Sequence, residues 1–539
     1  MTHAYPQSST RSPPKARGRA LLSAPDLGQS RAWDLILAAL LAFGWLLDRT
    51  PPWTYFLGDP DGGMFMYGAT HLLATGAQPQ VDVLSSYGPM SFYVRAALQS
   101  VLGQRLIAEM AVAWIGYTLA YVLLFGLVRR ISASRRFAFF TLLLALVCIP
   151  RYYKFFVVLM PVLTATAGAA YIARPRPWRA GALGVSVGLA LLFRHDFGAY
   201  CLLGALAAWW LGSRPGTRLA NGAWMLGGLI LAVGCWAVPV AGLGLLLPLL
   251  RDLSALTLGQ GAGLALPHPL RTWVPASTAM LFLTVYSLPA LAGALLVGLR
   301  DRLAPADKAL GWMLVLLAAA TLGQSMHRAD IPHLLQVMAP TYLVLALCWR
   351  LYAQLRLAPA WRAMVQGGTL LWVVVPVAAV AWPGGWLPRY DLSVVAQRLR
   401  DGWLTPAALR TRIPAEAPGD PAGAAVLAAV EMTAPGERIA VFPFAPQVYF
   451  FSERTMAGDT LAIAPGYLDQ PYFQERIIAS LRRDRPRLVL WDTGLAYDGL
   501  PQRNAVLTHA EVYRFVTDAY QPVGEAGPFT LFAPRPADP

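Results

Sequence analysis

Long apolar runs, separated by short segments that contain arginine, occupy most of the chain before residue 384. A helix that crosses a bilayer needs about 20 mostly apolar residues. We predict eleven spanning helices, at 33–49, 106–128, 136–150, 155–173, 179–193, 197–212, 221–247, 274–299, 307–324, 333–352 and 363–383. The pattern therefore predicts a polytopic α-helical membrane domain over residues 33–383.

Two shorter amphipathic helices are predicted in the segment 50–105, which contains the first polar loop. One begins near Asp61 and ends before Gly76, and the other follows Pro89 and ends near Leu102. Helices of this kind lie along a membrane surface. We therefore predict an outer loop with two interfacial helices. The carboxylates at the starts of these helices would be held at a fixed depth near the bilayer surface.

The pattern changes after residue 383. Residues 439–444, 488–492 and 529–532 have the short apolar runs of buried strands, whereas 470–483 and 511–520 have helical spacing. These segments predict a small α/β domain over 384–539. An odd number of spans, with the N-terminus in the cytoplasm, places this domain outside the cytoplasm.

The first 32 residues are rich in Ser, Pro and Arg without periodicity, which predicts a disordered cytoplasmic tail. Residues 33–49 are predicted to be an uncleaved signal anchor, because no small-residue cleavage pattern follows them. Five loops rich in basic residues then alternate with polar loops, and the positive-inside rule places these five in the cytoplasm. Their basic residues are Arg129, Arg130, Arg135 and Arg136; Arg174, Arg176 and Arg179; Arg214 and Arg218; Arg300, Arg302 and Lys308; Arg350, Arg356 and Arg362.

The composition agrees with a membrane protein. Hydrophobic residues make up 56% of the chain and charged residues 14%, whereas a soluble domain carries about 25% charged residues. The net charge of +15 is spread over the loops rather than gathered on one face, so we do not expect a nucleic-acid partner. All four cysteines lie in apolar runs without ligand spacing, which indicates core residues.

The loops on the opposite side carry polar groups of both signs at the ends of the predicted spans. Charge beside apolar spans is costly and is usually kept for function, so this grouping predicts a shared site at the outer surface. The alternative is that single Arg, Lys and Tyr residues merely anchor helices at the interface. The candidate residues are Asp59, Asp61, Asp82, Tyr87, Arg151, Lys154, Arg194, His195, Asp196, His327, Arg328, Asp330 and His333.

The first outer loop resembles that of the GT-C glycosyltransferases. The residues that carry the resemblance are Asp59-Pro60-Asp61-Gly62-Gly63, the helix that ends at Gly76, Val81-Asp82 and Tyr87-Gly88-Pro89. The similarity covers roughly residues 33–200 and points to the bacterial branch akin to protein O-mannosyltransferases and to aminoarabinose transferases of lipid A. It implies a polyprenyl-phosphate sugar donor and an outer-loop aspartate as catalytic base.

Matched by position, Asp61 corresponds to the aspartate of the family's loop. The chain departs from the family's Asp-Glu pair, because Gly62 stands where Glu is usual, and Tyr87-Gly88-Pro89 replaces a double proline. Asp59 could take the part of the missing carboxylate, which leaves the choice of base between Asp59 and Asp61 open. The alternative for Asp59 is a turn or helix N-cap.

The residue types also suit glycosyl transfer on chemical grounds. An acceptor hydroxyl needs a carboxylate within hydrogen-bond reach to take its proton. Negative charge that develops on a leaving phosphate can be stabilised by Arg151, Lys154 or Arg194. If residues 151–154 began the next helix, Arg151 and Lys154 would lie on one side of it. Asp82 is more simply interpreted as a loop carboxylate that accepts from nearby backbone amides.

The spacing His327-x-x-Asp330-x-x-His333 could place two imidazoles and a carboxylate on one helical face, with Pro332 interrupting. Such a set could bind a divalent metal, although hydrogen bonding to a substrate phosphate or sugar is the favoured interpretation. His195 and Asp196 could join from a neighbouring outer loop. No other cofactor is indicated, because the sequence has neither a P-loop nor a Gly-x-Gly-x-x-Gly motif after a strand.

These observations predict an inverting membrane glycosyltransferase at the outer face of a bacterial inner membrane. Its partners would be membrane lipids, a polyprenyl-phosphate sugar and a hydroxyl acceptor on a lipid, glycan or protein. One alternative is a transporter or flippase of a lipid-linked substrate. Transporters usually have polar residues near mid-membrane and repeated halves, and neither is evident here. The other alternative is a family member without catalytic activity.

Overall fold

A computed structural model describes residues 30–85, 87–242, 275–381 and 391–536, with scattered positions between 243 and 274. Residues 1–29 of the predicted tail and the predicted domain boundary near residue 384 lie outside the described residues, whereas residues 30–32, also predicted as tail, belong to the first helix.

Every predicted span overlaps a helix within the described residues, and the span 333–352 is divided between two helices at Val337. The first ten helices are α1 (Ser30–Asp48), α2 (Trp53–Gly58), α3 (Pro60–Thr75), α4 (Met90–Leu102), α5 (Leu106–Ser132), α6 (Arg135–Val147), α7 (Phe155–Ala173), α8 (Pro177–Phe193), α9 (His195–Gly212) and α10 (Arg218–Gly242). The later helices of this region are Ala276–Gly298, Pro305–His327, Ile331–Gln336, Met338–Tyr352 and Pro359–Ala381. The predicted polytopic helical fold is therefore confirmed.

Length and composition divide these helices into two groups. Among the described residues, six are long and apolar enough to cross a membrane: Leu106–Ser132, Phe155–Ala173, Pro215–Gly242, Ala276–Gly298, Pro305–His327 and Pro359–Val380. The others include α6, α8 and the helix Met338–Tyr352, which are shorter. The count of eleven spans stays a prediction.

The two predicted surface helices are present as α3 and α4, but α3 is more buried than an interfacial helix. Pro60 occupies its first turn and Gly76 ends it in the left-handed conformation, with φ 73°. Every residue from Gly62 to Ala69 is buried, so all faces of this stretch are covered. A Cβ on Gly63 would lie 2.7 Å from the backbone nitrogen of Gln447, which shows how closely the C-terminal region packs against α3.

The C-terminal region is an α/β unit, as predicted. Its strands are β1 (Arg438–Phe442), β2 (Thr455–Met456), β3 (Leu488–Asp492), β4 (Tyr520–Ala526) and β5 (Phe529–Pro534), in the order β2-β1-β3-β5-β4. The strands β2, β1 and β3 pair in parallel. The strand β5 runs antiparallel to β3, and β4 runs antiparallel to β5. Its helices are Leu392–Trp403, Pro406–Arg410, Ile413–Glu416, Pro421–Met432, Gln447–Ser452, Pro471–Asp484, Ala505–Thr508 and Ala510–Ala519.

This unit is joined to α3 by direct contacts. The hydroxyl of Tyr67 accepts a hydrogen bond of 2.7 Å from the backbone amide of Met456. The Tyr67 ring also stacks on Tyr449, with ring centroids 4.8 Å apart. One cluster of buried apolar side chains runs from the membrane helices through α3 to β1 and β3. The start of α3 is thus held between the membrane helices and the sheet.

Candidate active site

The centre of the site is the carboxylate of Asp61, in the first turn of α3. It forms an ion pair with Arg151, whose Nη1 also donates to the Tyr153 hydroxyl over 3.0 Å. Burial raises the pKa of Asp61, but the positive charges of Lys154 and Arg151 outweigh this effect, so the pKa lies below its usual value. Asp61 is therefore a carboxylate that faces two cations.

Arg151 and Lys154 reach Asp61 from a turn rather than from a helix. The amide of Lys154 donates to the carbonyl of Arg151 over 2.9 Å, and α7 begins only at Phe155. The expectation that these two residues share a helical face is therefore wrong. From this turn Arg151 still forms an ion pair with Asp61, and the charge of Lys154 contributes to the low pKa of Asp61.

Lys154 is almost completely buried, with 3% of its surface exposed. Its Nζ lies 5.5 Å from the ring centroid of Tyr153 and 5.7 Å from that of Tyr87. Burial lowers the pKa of Lys154 to about 7, with Asp61 opposing the shift and Arg194 adding to it. The ammonium group therefore titrates near neutral pH, and ring faces supply part of its environment.

Asp59 has a different environment two residues before Asp61. Burial, followed by the charge of Asp61, raises the pKa of Asp59 to about 6. Its Oδ2 is buried and has no hydrogen-bond partner among the described residues. A Cβ on Gly62 would lie only 2.6 Å from this oxygen, so the Asp59 carboxyl fills the space where a side chain at position 62 would begin. Asp59 occupies the N-cap position of α3 without a side-chain capping hydrogen bond, although the backbone of Gly62 partly offsets the rise in its pKa, so the N-cap interpretation stays an alternative.

Tyr87 and Arg194 extend the site towards α8 and α9. The amide of Gly88 donates to the carbonyl of Phe193 over 3.0 Å and fixes Tyr87 beside Arg194. The Arg194 guanidinium carbon lies 5.5 Å from the Tyr87 ring centroid, and its Nε pairs with Asp196 over 2.8 Å. His195 begins α9 beside this pair.

A second group of charges lies between the membrane helices and the C-terminal unit. Asp330 caps the helix Ile331–Gln336 and its Oδ1 lies 2.6 Å from Nδ1 of His333. Arg328 contacts Asp330 over 3.3 Å and Asp498 of the C-terminal unit over 2.6 Å. The electrostatic influence of Asp330 and His333 reaches Lys154 and Asp61 respectively, so this group borders the first one.

Two candidate residues have other roles. Asp82 is exposed, and its Oδ2 accepts from the backbone amide of Gln78 over 2.7 Å, as the loop interpretation proposed. His327 is exposed at the end of one helix, and Asp330 and His333 belong to the next. The predicted shared helical face of 327, 330 and 333 is therefore wrong. Among the described residues, no group of three or more His, Cys, Asp or Glu side chains could hold a metal ion.

The sequence analysis missed several residues that complete this region. The Tyr153 hydroxyl accepts from Arg151 and helps to lower the pKa of Asp61, Asp498 pairs with Arg328, and Arg95 with Glu109 forms a buried ion pair behind the site. A lone glutamate in the first turn of a long apolar helix is costly unless paired. That signal at Glu109, with Arg95 in the preceding helix, could have revealed the pair.

The arrangement is that of a polytopic helical membrane protein whose polar site is covered by a small α/β unit. The chain has the fold seen in the crystal structure of ArnT from Cupriavidus metallidurans in the apo state. The two share 14% sequence identity with a TM-score of 0.51, and the match covers 94% of this chain and 98% of that one. No family model matches the chain, and a search of curated proteins gives no match. The predicted fold class is confirmed by this likeness.

Proposed function

We propose that the protein is a membrane glycosyltransferase that moves a sugar from a polyprenyl-phosphate donor to a hydroxyl acceptor. The observation that carries the proposal is the Asp61 carboxylate, paired with Arg151 and within the electrostatic influence of Lys154, in an ArnT-like fold. A base and a cationic site for phosphate are the two groups that this reaction needs. The acceptor hydroxyl would belong to a lipid, a glycan or a protein at the outer face of a bacterial inner membrane.

The cations would bind the phosphate of the donor. Lys154 and Arg194 lie beside the Tyr87 ring and Arg151 contacts the Tyr153 hydroxyl, and the positive charges of all three suit an anion with several oxygens. A phosphate there would compete with Asp61 for Arg151 and Lys154. Because these cations hold the pKa of Asp61 low, their engagement by phosphate would raise it and make the carboxylate a stronger base.

The reaction then balances without a cofactor. The acceptor oxygen attacks the anomeric carbon while its proton passes to Asp61, and the bond from that carbon to the phosphate oxygen breaks. The lipid phosphate leaves with the bonding electrons, and the cations stabilise its added charge. Attack opposite to the leaving group inverts the configuration at the anomeric carbon. Asp59 supplies a second carboxylate beside Gly62, where the resemblance leads us to expect the partner acid.

The test is sugar transfer by the purified protein in lipid nanodiscs. The donors are polyprenyl phosphates that carry different sugars, and the acceptors are membrane lipids, glycans and peptides. Transfer by the parent chain and its loss in Asp61→Asn would support an enzyme. Movement of the intact donor between leaflets, without release of lipid phosphate, would instead favour a flippase. Absence of both activities across the panel would favour the non-catalytic alternative.

A divalent metal is tested in the same assay. Asp330 and His333 are already paired with each other, which leaves His327 apart from them. We propose that His333 and Asp330 act on substrate by hydrogen bonding, together with His195 and Asp196. Transfer should therefore survive EDTA, and its loss with EDTA and return with added Mg²⁺ or Mn²⁺ would contradict this view.

A further inference from the structure

The ion pair of Arg95 and Glu109 lies behind the candidate active site. Arg95 is on α4 and Glu109 is in the first turn of α5, and their side chains are 1% and 2% exposed. Arg95 Nε lies 2.8 Å and 2.7 Å from the two carboxylate oxygens of Glu109. A buried pair of this kind needs good geometry and further hydrogen bonds to offset desolvation.

The remaining donors of Arg95 provide those bonds, and one of them reaches the site. Nη1 donates to the carbonyl of Ser91 over 2.7 Å, within α4. Nη2 donates to the carbonyl of Tyr153 over 2.8 Å. Tyr153 lies between Arg151 and Lys154, so Arg95 holds the turn from which both cations extend.

Arg95 also contacts the helix that carries Asp61. Its guanidinium carbon lies 4.4 Å from the ring centroid of Phe65, one turn after Asp61 on α3. The Phe65 ring in turn packs against Tyr153 and Tyr87, with centroids 5.4 Å and 4.6 Å away. One guanidinium therefore contacts both the turn that carries the cations and the helix that carries the carboxylate.

We propose that Arg95, oriented by Glu109, is a positioning residue that sets the place of Arg151 and Lys154 relative to Asp61. Arg95 does not bind the sugar donor, because its N–H groups already donate to Glu109, Ser91 and Tyr153 and its side chain is buried. The proposal rests on the proposed function in one respect, since it assigns the positioned cations to the donor phosphate.

Lysine could not replace arginine in this role. The bonds to Glu109 and to Tyr153 leave the planar guanidinium in different directions, whereas an ammonium group is a single point on a flexible stem. Loss of Arg95 alone would leave Glu109 buried and unpaired, and the protein could then fail to fold. The informative variant therefore replaces both partners with apolar residues.

The test compares two double variants that each remove one buried ion pair. Arg95→Met with Glu109→Leu removes the pair behind the site. Arg129→Met with Asp34→Leu removes a buried pair between α5 and α1, among the residues predicted to face the cytoplasm, and also releases the exposed Arg135, which pairs with the other oxygen of Asp34. Both should give folded protein by thermal unfolding and gel filtration. The first should raise KM for the donor about tenfold with a smaller change in kcat, and the second should change neither.

A second measurement does not depend on enzymatic activity. The rate at which an amine reagent modifies Lys154 is followed against pH by mass spectrometry, with Lys154→Arg as the blank. In the variant with Arg95→Met and Glu109→Leu, Lys154 should be labelled several-fold faster near neutral pH than in the parent, because a loosened turn exposes its amine. The variant at 34 and 129 should label as the parent does.

The two measurements separate failure of this proposal from failure of the proposed function. Unchanged labelling of Lys154 and unchanged donor KM in the folded pair variant would overturn the positioning role. If the parent transfers no sugar, the proposed function fails, and faster labelling in the pair variant would still support the positioning of Lys154. Equal effects of the two double variants would show a general loss of stability and overturn the proposal.

Discussion

Asp59 and Asp61 are two residues apart, yet their surroundings push their pKa values in opposite directions. The cations lower the pKa of Asp61, whereas burial and the charge of Asp61 raise the pKa of Asp59 to about 6. Pairs of carboxyl groups with separated pKa values commonly divide acid and base roles. At neutral pH Asp61 is ionised and paired with Arg151, so it is the better candidate to receive the acceptor proton once phosphate engages that arginine.

Asp61→Asn should lower turnover by roughly 10²-fold or more, which is the usual scale for loss of a general base. The amide keeps the size of the side chain but cannot take a proton. Asp59→Asn should have a smaller effect and is the matched control. The measurement is the rate of lipid-phosphate release at equal amounts of folded protein. If Asp59→Asn proved the more damaging change, the role of base would pass to Asp59.

The ionisation of Lys154 should make the activity of the enzyme fall at alkaline pH. The ammonium group is charged below its pKa of about 7 and neutral above it, so donor capture should weaken as pH rises through this value. We expect kcat/KM for the donor to fall above about pH 7, because this ratio reports ionisation of the free enzyme. Lys154→Arg should remove this fall in kcat/KM at alkaline pH, since arginine stays charged. A parent profile flat to pH 9 would contradict the assignment.

Arg151→Gln should raise KM for the donor, because Arg151 would supply a planar fork to the phosphate. Arg151→Lys should recover only part of the loss, since lysine lacks that fork. If Arg151 were an interfacial anchor, both variants would bind donor normally. In that case phosphate recognition would have to be reassigned to Arg194 or Arg328.

At the scale of elements, the start of α3 brings Asp59 and Asp61 together through Gly62. Gly62→Ala would place a methyl group 2.6 Å from Asp59 Oδ2 and force the carboxyl to move. Alanine is the better helix former by about 1 kcal/mol, so activity, not helicity, should be lost. We expect roughly tenfold slower transfer. Gly44→Ala in α1 is the control, because a Cβ there meets nothing within 4 Å. Equal activity of the two variants would contradict the role of Asp59.

The elements that could be predicted are those with a strong apolar period. In the described residues each of the eleven apolar runs is helical, one of them as two helices, and α3 and α4 lie where their caps and prolines indicated. The strand β4 was missed because Pro522 and Gly524 disfavour strands, and an edge position with a register shift tolerates both. The predicted spans 307–324 and 333–352 already left a break near Pro332, which occupies the first turn of a new helix, but the division of the second span at Val337 was missed.

Of the site, the sequence could predict only the charged residues that lie beside apolar spans. Asp61, Arg151, Lys154 and Arg194 were found because each follows or precedes a long apolar run. Their pairing depends on the turn at 151–154 and on the Tyr153 carbonyl that Arg95 holds, and such backbone contacts leave no sequence pattern. Asp498 was missed for a related reason. It lies in a loop of the C-terminal unit, 170 residues after Arg328, with which it pairs.

At the scale of the whole molecule, the predicted outer loops and the C-terminal unit meet at one end. Arg476 of the C-terminal unit donates to Asp252 and to the carbonyl of Val81, and Arg328 pairs with Asp498. These contacts join three separate segments of the chain to the C-terminal unit. Closure of this end around a bound donor would keep water from the reacting carbon, which matters because water competes with the acceptor hydroxyl.

The side of the membrane that this end faces follows from the arginine loops and is open to direct test. We expect the end with Asp61 and the C-terminal unit to face outward. A chain with its four cysteines replaced by alanine would carry one new cysteine, Gly216→Cys in an arginine loop or Leu507→Cys in the C-terminal unit. Position 216 has no heavy atom within 4 Å of a Cβ, and Leu507 is 64% exposed, so both changes fit the fold.

An impermeant maleimide applied to spheroplasts should label Leu507→Cys at once, and Gly216→Cys only after the membrane is permeabilised. The positive-inside rule gives the reason, since Arg214 and Arg218 flank position 216. The opposite labelling would place Asp61 in the cytoplasm. Nucleotide sugars would then be available to the site, so the argument for a lipid-carried donor would lose its basis even if the carboxylate and the cations act as proposed.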